Sequence, residues 1–244
     1  MGSAIDIAKV SARGSLALSV GMIVSNVVMA IGTLVMASFL PTNEYGLYAV
    51  VLVPSAFFNL FQDLGINSAI IKYTAQYRSE GKDVETKKII AFGLIFNVAI
   101  GASLSLIAYL LAGFLADYIF HRPHIQGLLK VMSITILLSS LLRVAQSVFV
   151  GFERMEFYSA TMILQSLLRG TIAPLLVVLG YGLFGAVIGL VISSIASSTL
   201  GLFLTIIFFY RRIDASIGNL EDFPNYISFM LKYGLPVSAS LILT

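Results

Sequence analysis

From Gly170 to Tyr210 the chain runs for 41 residues without a charge. As one helix, at about 1.5 Å per residue, that stretch would be about 60 Å long, twice the roughly 30 Å hydrocarbon core of a bilayer. A water-facing element does not carry such a run, and a single span does not need it. It reads as the end of one transmembrane helix, a turn and a second transmembrane helix. Gly180-Tyr181-Gly182 is the one strong turn signal inside it, so the break falls there.

Two arginines must then lie inside the membrane. Residues 170–180 are too few to cross, so the span before the turn begins near Ser159 and contains Arg169. Val131–Leu142 and Val144–Phe152 are each too short alone, so a span near 128–150 forms only with Arg143 inside it. The remaining charge-free runs are 30 residues between Arg13 and Glu44, 18 between Glu44 and Asp63, and 28 between Lys88 and Asp117. Asp63 is expected at the interface or just within it. Six spans result, near 15–40, 46–66, 89–116, 128–150, 159–180 and 183–210. The second is expected to run past Gly65 into an interfacial helix, Ser68–Tyr77.

The expected fold class is all-α, a polytopic membrane helix bundle of six transmembrane helices. Composition agrees, since only 11% of the 244 residues are charged, against roughly 25% in soluble domains. The absence of Cys excludes a disulfide scaffold, a zinc finger, an iron–sulfur site and a thiol nucleophile. A net charge of +3 gives no reason to expect nucleic acid as a partner. The first apolar run is too long for a signal peptide.

The Lys/Arg bias sets orientation. With the N-terminus inside, the inner segments hold 10 basic residues (Lys9, Arg13, Lys72, Arg78, Lys82, Lys87, Lys88, Arg154, Arg211, Arg212) and the outer segments 2 (Arg122, Lys130). A multi-pass protein of the cell membrane with a cytoplasmic N-terminus is expected. After Arg211-Arg212 a polar stretch leads to a new apolar run, Ile227–Thr244, which is still apolar at the last residue. The chain is therefore expected to be a six-helix lobe, residues 1–228, followed by the truncated start of a second lobe, 229–244.

Helices in lipid associate by close packing, so small residues four apart mark contact faces. Gly93, Asn97, Gly101 and Ser105 form one such row, and Gly185, Gly189, Ser193, Ser197 and Gly201 another. Other faces are more polar than packing requires. Ser15, Ser19, Asn26 and Thr33 share an arc of the first span, and Ser55, Asn59, Gln62 and Asp63 one of the second. Ser133, Ser140, Arg143 and Ser147 do so on the fourth, with Ser139 and Gln146 beside them, and Thr161, Gln165 and Arg169 follow at spacing four on the fifth. Such stripes either bond helix to helix in a dry bundle or surround a polar cavity.

An arginine at bilayer depth costs about 2.5–3.5 kcal/mol on insertion scales and usually faces a cavity or marks a pathway. The guanidinium fork matches phosphate oxygens two at a time. Two embedded arginines and one carboxylate therefore suit an anionic guest, the architectural alternative being an ion pair of Asp63 with Arg143 or Arg169. Pro54 and Pro174 interrupt their helices and offer bend points. His121 and His124 read as loop residues, not a metal pair. No nucleophile with its base, phosphate loop or paired acids is visible, so no enzyme, no catalytic residue and no metal site is expected.

One block of sequence is specific. Pro41-Thr42-Asn43-Glu44-Tyr45-Gly46-Leu47-Tyr48 joins the first two spans, and Asp63-Leu64-Gly65-Ile66-Asn67-Ser68-Ala69 leads to a basic inner loop. Together with the inner turn Val150-Gly151-Phe152-Glu153-Arg154-Met155 and with Lys232-Tyr233-Gly234-Leu235-Pro236, it resembles the polysaccharide-biosynthesis flippases, including O-antigen flippases, of the multidrug/oligosaccharidyl-lipid/polysaccharide exporter superfamily. The resemblance implies the N-terminal lobe of a two-lobed transporter of 12 to 14 helices. It also implies flipping of a polyprenyl-(pyro)phosphate-linked oligosaccharide from inner to outer leaflet by alternating access. On that reading Arg143 and Arg169 hold phosphate oxygens, and Gln146, Gln165, Asn26 and Asn59 bond sugar hydroxyls. Asp63 becomes a coupling site for Na+ or H+, or a structural partner of an arginine, and no other cofactor is expected. Partners would be the bilayer, the lipid-linked glycan and the glycosyltransferases or polymerase of its assembly pathway. The rivals are a cation-coupled multidrug exporter of the same superfamily, whose key charges would be acids, and a non-transporting scaffold for glycan-assembly enzymes.

Overall fold

The computed structural model describes the backbone of residues 2–62, 64–210 and 223–242, with side chains over most of that range. Asp63 and Arg211-Arg212 lie outside the described residues. Among the described residues, eight α-helices follow in order: α1 Gly2–Phe39, α2 Thr42–Gln62, α3 Ile66–Ser79, α4 Asp83–Phe114, α5 Gln126–Gly151, α6 Met155–Leu176, α7 Gly182–Leu204 and α8 Phe223–Ile242. Wide π turns follow α4, α6 and α7. There is no strand among the described residues.

Among the described residues, five segments are long and apolar enough to cross a membrane: Gly14–Phe39, Thr42–Gln62, Asp83–Ile119, Pro123–Gly151 and Met155–Tyr210. The last spans 56 residues. It breaks at Gly180, whose φ of 91° leaves the helical region, and folds back on itself. Gly185 then meets Leu176, and Gly189 meets Ala173, along an antiparallel hairpin. Six crossings result, and both embedded arginines lie inside α-helices, as length required.

One expectation needs correction. The second span does not run on past Gly65; it stops at Gln62, and α3 is a separate helix from Ile66 to Ser79. Gly65 makes the turn, with a φ of 81° that favours glycine. It also touches the backbone of Gly234 in α8, so a Cβ on either residue would collide with the other. There α8 lies on α3, with the Tyr73 and Phe229 rings 4.4 Å apart.

Small residues set the remaining contacts. α1 runs parallel to α6, with Gly21 over Ser159 and Gly32 over Gly170. The α4 row faces α5: Ser140 Oγ donates to Asn97 O (2.7 Å), and Ser105 Oγ donates to Ser133 O (2.9 Å). The space a side chain would need at Gly101 is filled by Ser140. Because the Ser140 bond crosses between helices in a buried layer, Ser140→Ala should cost about 0.6–1.7 kcal/mol. Thermal unfolding in detergent would register this as a lowered Tm, whereas exposed Ser38, bonded only within its own helix, should be neutral on the same change.

The apolar core is split. One cluster gathers Leu40, Tyr48, Val51, Ile125, Leu129 and Leu183 beside the Pro41 and Gly180 turns. The other gathers Ile70, Ile89, Phe92, Phe149, Phe209 and Met230 at the basic end. Between them, at mid-depth, polar side chains are buried as well: Asn97, Ser140, Ser193 and Ser197. With lipid outside, the layer that a soluble protein would make most apolar becomes the natural depth for a polar site.

Candidate functional site

α1 packs on α6, and α2 packs on α5, whose larger contacts are with α4 and α7; α7 also packs on α6. α1 and α2 are joined at the Pro41 turn but otherwise share little contact, and α5 and α6 touch each other much less than each touches α7. The sparsely bridged interval between α1–α6 and α2–α5, with α7 packed on α5 and α6, is taken as the candidate cleft.

The α2–α5 wall is stitched by polar groups. Ser55 Oγ donates to Met132 O (3.4 Å) and Gln62 Nε2 to Ile136 O (2.5 Å). Ser139 Oγ lies 2.9 Å from Asn59 Oδ1, 3.2 Å from Gln62 Oε1 and 2.8 Å from Ile136 O. One hydroxyl hydrogen faces three acceptors, so acceptor capacity at half-buried Asn59 is left for a guest hydroxyl. The Asn59 amide nitrogen makes no hydrogen bond among the described residues and adds a donor.

Arg143 is half-buried and follows Ser139 by one turn of α5, and Ser147 Oγ donates to its carbonyl at 2.8 Å. Gln146 closes the basic end of the cleft by donating from Nε2 to Thr161 Oγ1 at 3.3 Å, tying α5 to α6. From Thr161, Gln165 and Arg169 rise at one-turn intervals along the same face of α6, both half-buried. No carboxylate pairs with Arg169 among the described residues. Asn26 is exposed on α1 between Gly21 and Gly32, which places it level with Gln165. It makes no hydrogen bond to the other candidates among the described residues.

The charge balance is one-sided. Only Lys130, Arg143, Glu156 and Arg169 are charged in α5, α6 and α7. Lys130 lies near the start of α5 and Glu156 in the first turn of α6, at opposite ends of the bundle, which leaves two guanidinium groups at depth. Thr161 is the cleft residue whose partner was not apparent from sequence, because its contact to Gln146 joins two helices. A second unforeseen contact lies at the other end, where the Leu183 backbone nitrogen donates to Glu44 Oε2 at 3.0 Å. The carboxylate caps the N-terminus of α7 and ties the two turns together.

The sequence matches the family described as "Polysaccharide biosynthesis protein" over residues 11–244. The chain belongs to this family. The likeness carried by the Pro41–Tyr48 and Leu64–Ala69 blocks is thus borne out at the level of the family, and the protein is a multi-pass membrane helix bundle. No curated protein matches the sequence. Among solved structures, a crystal structure of MATE in complex with MaD5 aligns with a TM-score of 0.77 at 18% identity, covering 96% of this chain and 54% of the other. An outward-facing multidrug resistance MATE family transporter of the MOP superfamily gives 0.74 at 19%, covering 96% and 52%. MATE in the bent conformation gives 0.74 at 17%, covering 96% and 53%. At such identity the likeness is one of fold. This member of the polysaccharide biosynthesis family spans about half the length of those structures.

Proposed function

We propose that the full-length protein is a transporter that flips a polyprenyl-(pyro)phosphate-linked oligosaccharide from the inner to the outer leaflet by alternating access. Residues 1–228 form its N-terminal lobe, and 229–244 open the second. The observation that carries this reading is the pair of half-buried arginines, Arg143 on α5 and Arg169 on α6, with the amides and hydroxyls of Asn59, Ser139, Gln146 and Gln165 on the same helices or the one beside them. Arg143 and Arg169 bind phosphate oxygens through paired N–H donors, which a polyprenyl (pyro)phosphate offers at the junction of glycan and lipid. Asn26, Asn59, Gln146 and Gln165 exchange hydrogen bonds with sugar hydroxyls. These contacts are several and individually weak, so the guest can leave once the lobes rock. Asp63 serves either a coupling Na+ or H+ or an arginine. The Lys/Arg-rich end is cytoplasmic in the cell membrane, where glycosyltransferases supply the substrate and a polymerase consumes it. No covalent step is involved.

The fold likeness to a multidrug resistance transporter favours one competing reading, a cation-coupled drug exporter. Binding separates the two. Full-length protein should bind a pyrophosphate-linked glycolipid saturably, with affinity falling as salt rises, and should show no proton- or sodium-driven efflux of cationic dyes. Cation-driven dye efflux without glycolipid binding would overturn the proposal.

A further inference from the structure

α4 and α7 both pack on α5 and scarcely touch each other. The gap between them is an apolar recess of about 340 Å³ that shares no residue with the cleft. Ile90, Ala91, Leu94 and Ile95 form one side, and Leu202 and Ile206 the other. The recess lies where α7 passes into its π turn, Thr205–Tyr210, a widening that often marks functional sites. Thr205 also borders it, but its Oγ1 donates to Gly201 O at 2.9 Å, so no hydroxyl hydrogen is offered to the recess.

The recess has one polar end. Lys87 precedes Ala91 by one turn of α4, and its Nζ lies 4.9 Å from the centroid of the Tyr210 ring, which also lines the recess. Close by, Phe208 and Phe209 border a second recess of about 280 Å³ that holds Arg78, Arg154, Asp83 and Thr86. Arg78 is held there by a 2.9 Å bond to Phe152 O and by lying over the Phe152 ring. Arg154 pairs with Glu156 at 2.9 Å. Because Glu156 neutralises Arg154, Arg78 and Lys87 against Asp83 leave the lining of the groove's mouth positive by one charge.

We infer that this groove holds one anionic phospholipid from the leaflet at the basic end. One acyl chain lies between α4 and α7, and the phosphate rests near Lys87, with Arg78 and Arg154 within the headgroup region. Burial from water contributes little here, because the surrounding lipid is equally apolar. The shape of the recess fixes one chain, and the basic mouth selects the headgroup. Each Lys or Arg near a membrane surface contributes about 1 kcal/mol toward anionic lipid, or about fivefold in affinity.

The test is native mass spectrometry of the purified full-length protein, offered phosphatidylglycerol or phosphatidylcholine. The wild-type protein should retain one phosphatidylglycerol at least fivefold more readily than phosphatidylcholine. Lys87→Gln should reduce that preference about fivefold, Ala91→Phe should fill the recess and remove the retained lipid whatever its headgroup, and Lys130→Gln, at the opposite end, should change neither. Equal retention of the two lipids by the wild-type protein would overturn the inference without any variant. So would unchanged retention in Ala91→Phe, or a dimer that this substitution dissociates, which would assign the groove to a second copy of the chain.

Discussion

Arg169→Ala in the full-length protein is expected to lower export of the lipid-linked glycan by about tenfold to a hundredfold, the equivalent of the about 1.5–3 kcal/mol carried by hydrogen bonds to a charged group. Arg143→Ala should act in the same direction. Accumulation of the undecorated lipid-linked intermediate inside the cell, at unchanged protein level, is the readout. Lysine at either position should rescue only in part, since an ammonium keeps the charge and loses the two-pronged donor geometry. Thermal stability should move the other way. An arginine held at bilayer depth costs about 2.5–3.5 kcal/mol, and no carboxylate pairs with Arg169 among the described residues, so Arg169→Ala should be as stable as the wild-type protein or more so. Loss of export with retained or raised Tm distinguishes a binding role from an architectural one, in which losing the guanidinium would lower both.

Gly32→Leu should have the largest structural effect. A Cβ at Gly32 would lie 2.6 Å from Gly170 Cα, where α1 and α6 come backbone to backbone. α1 has little else to hold it, because its contact with α2 is slight and much of its surface faces outward. Forcing a leucine into that contact is expected to cost about 3 kcal/mol or more and to detach α1 from the bundle. Denaturation of the purified protein in detergent, together with yield of monodisperse material, measures it, and Gly32→Ala should fall between. Gly46→Ala is the matched control. Nothing lies within 4 Å of a Cβ there, and alanine favours helix over glycine by about 1 kcal/mol.

The crossings were legible because bilayer thickness turns charge-free length into a count. The break at Gly180 and the depth of Arg143 and Arg169 both followed from it. The small-residue rows were legible for a related reason: helix–helix contact in lipid selects against bulk, and Gly101 against Ser140 and Gly189 against Ala173 are the outcome. The end of the second span differs from the expectation because an apolar pattern can continue across a turn, and the left-handed φ of Gly65 lies in the break between α2 and α3. Contacts between distant segments left no periodic trace. Glu44 marked only the edge of a charge-free run, and its role as the cap of α7 depends on two turns meeting in space. Asn59 and Gln62 could be placed on one face of α2, but not opposite Ser139. Polar stripes on single helices showed that a polar layer exists; which stripes face each other depends on how the helices pair.

The central claim, that the cleft between the α1–α6 and α2–α5 pairs carries the headgroup of an anionic glycolipid, is most directly tested by translocation. Full-length protein in liposomes would be given a polyprenyl pyrophosphate oligosaccharide, and the fraction reaching the opposite leaflet followed with a membrane-impermeant sugar-oxidising reagent. Protein-dependent translocation that falls by at least tenfold in the double variant Arg143→Ala/Arg169→Ala, with reconstitution unchanged, is the predicted result. Translocation at the wild-type rate in that double variant would contradict the assignment of the cleft.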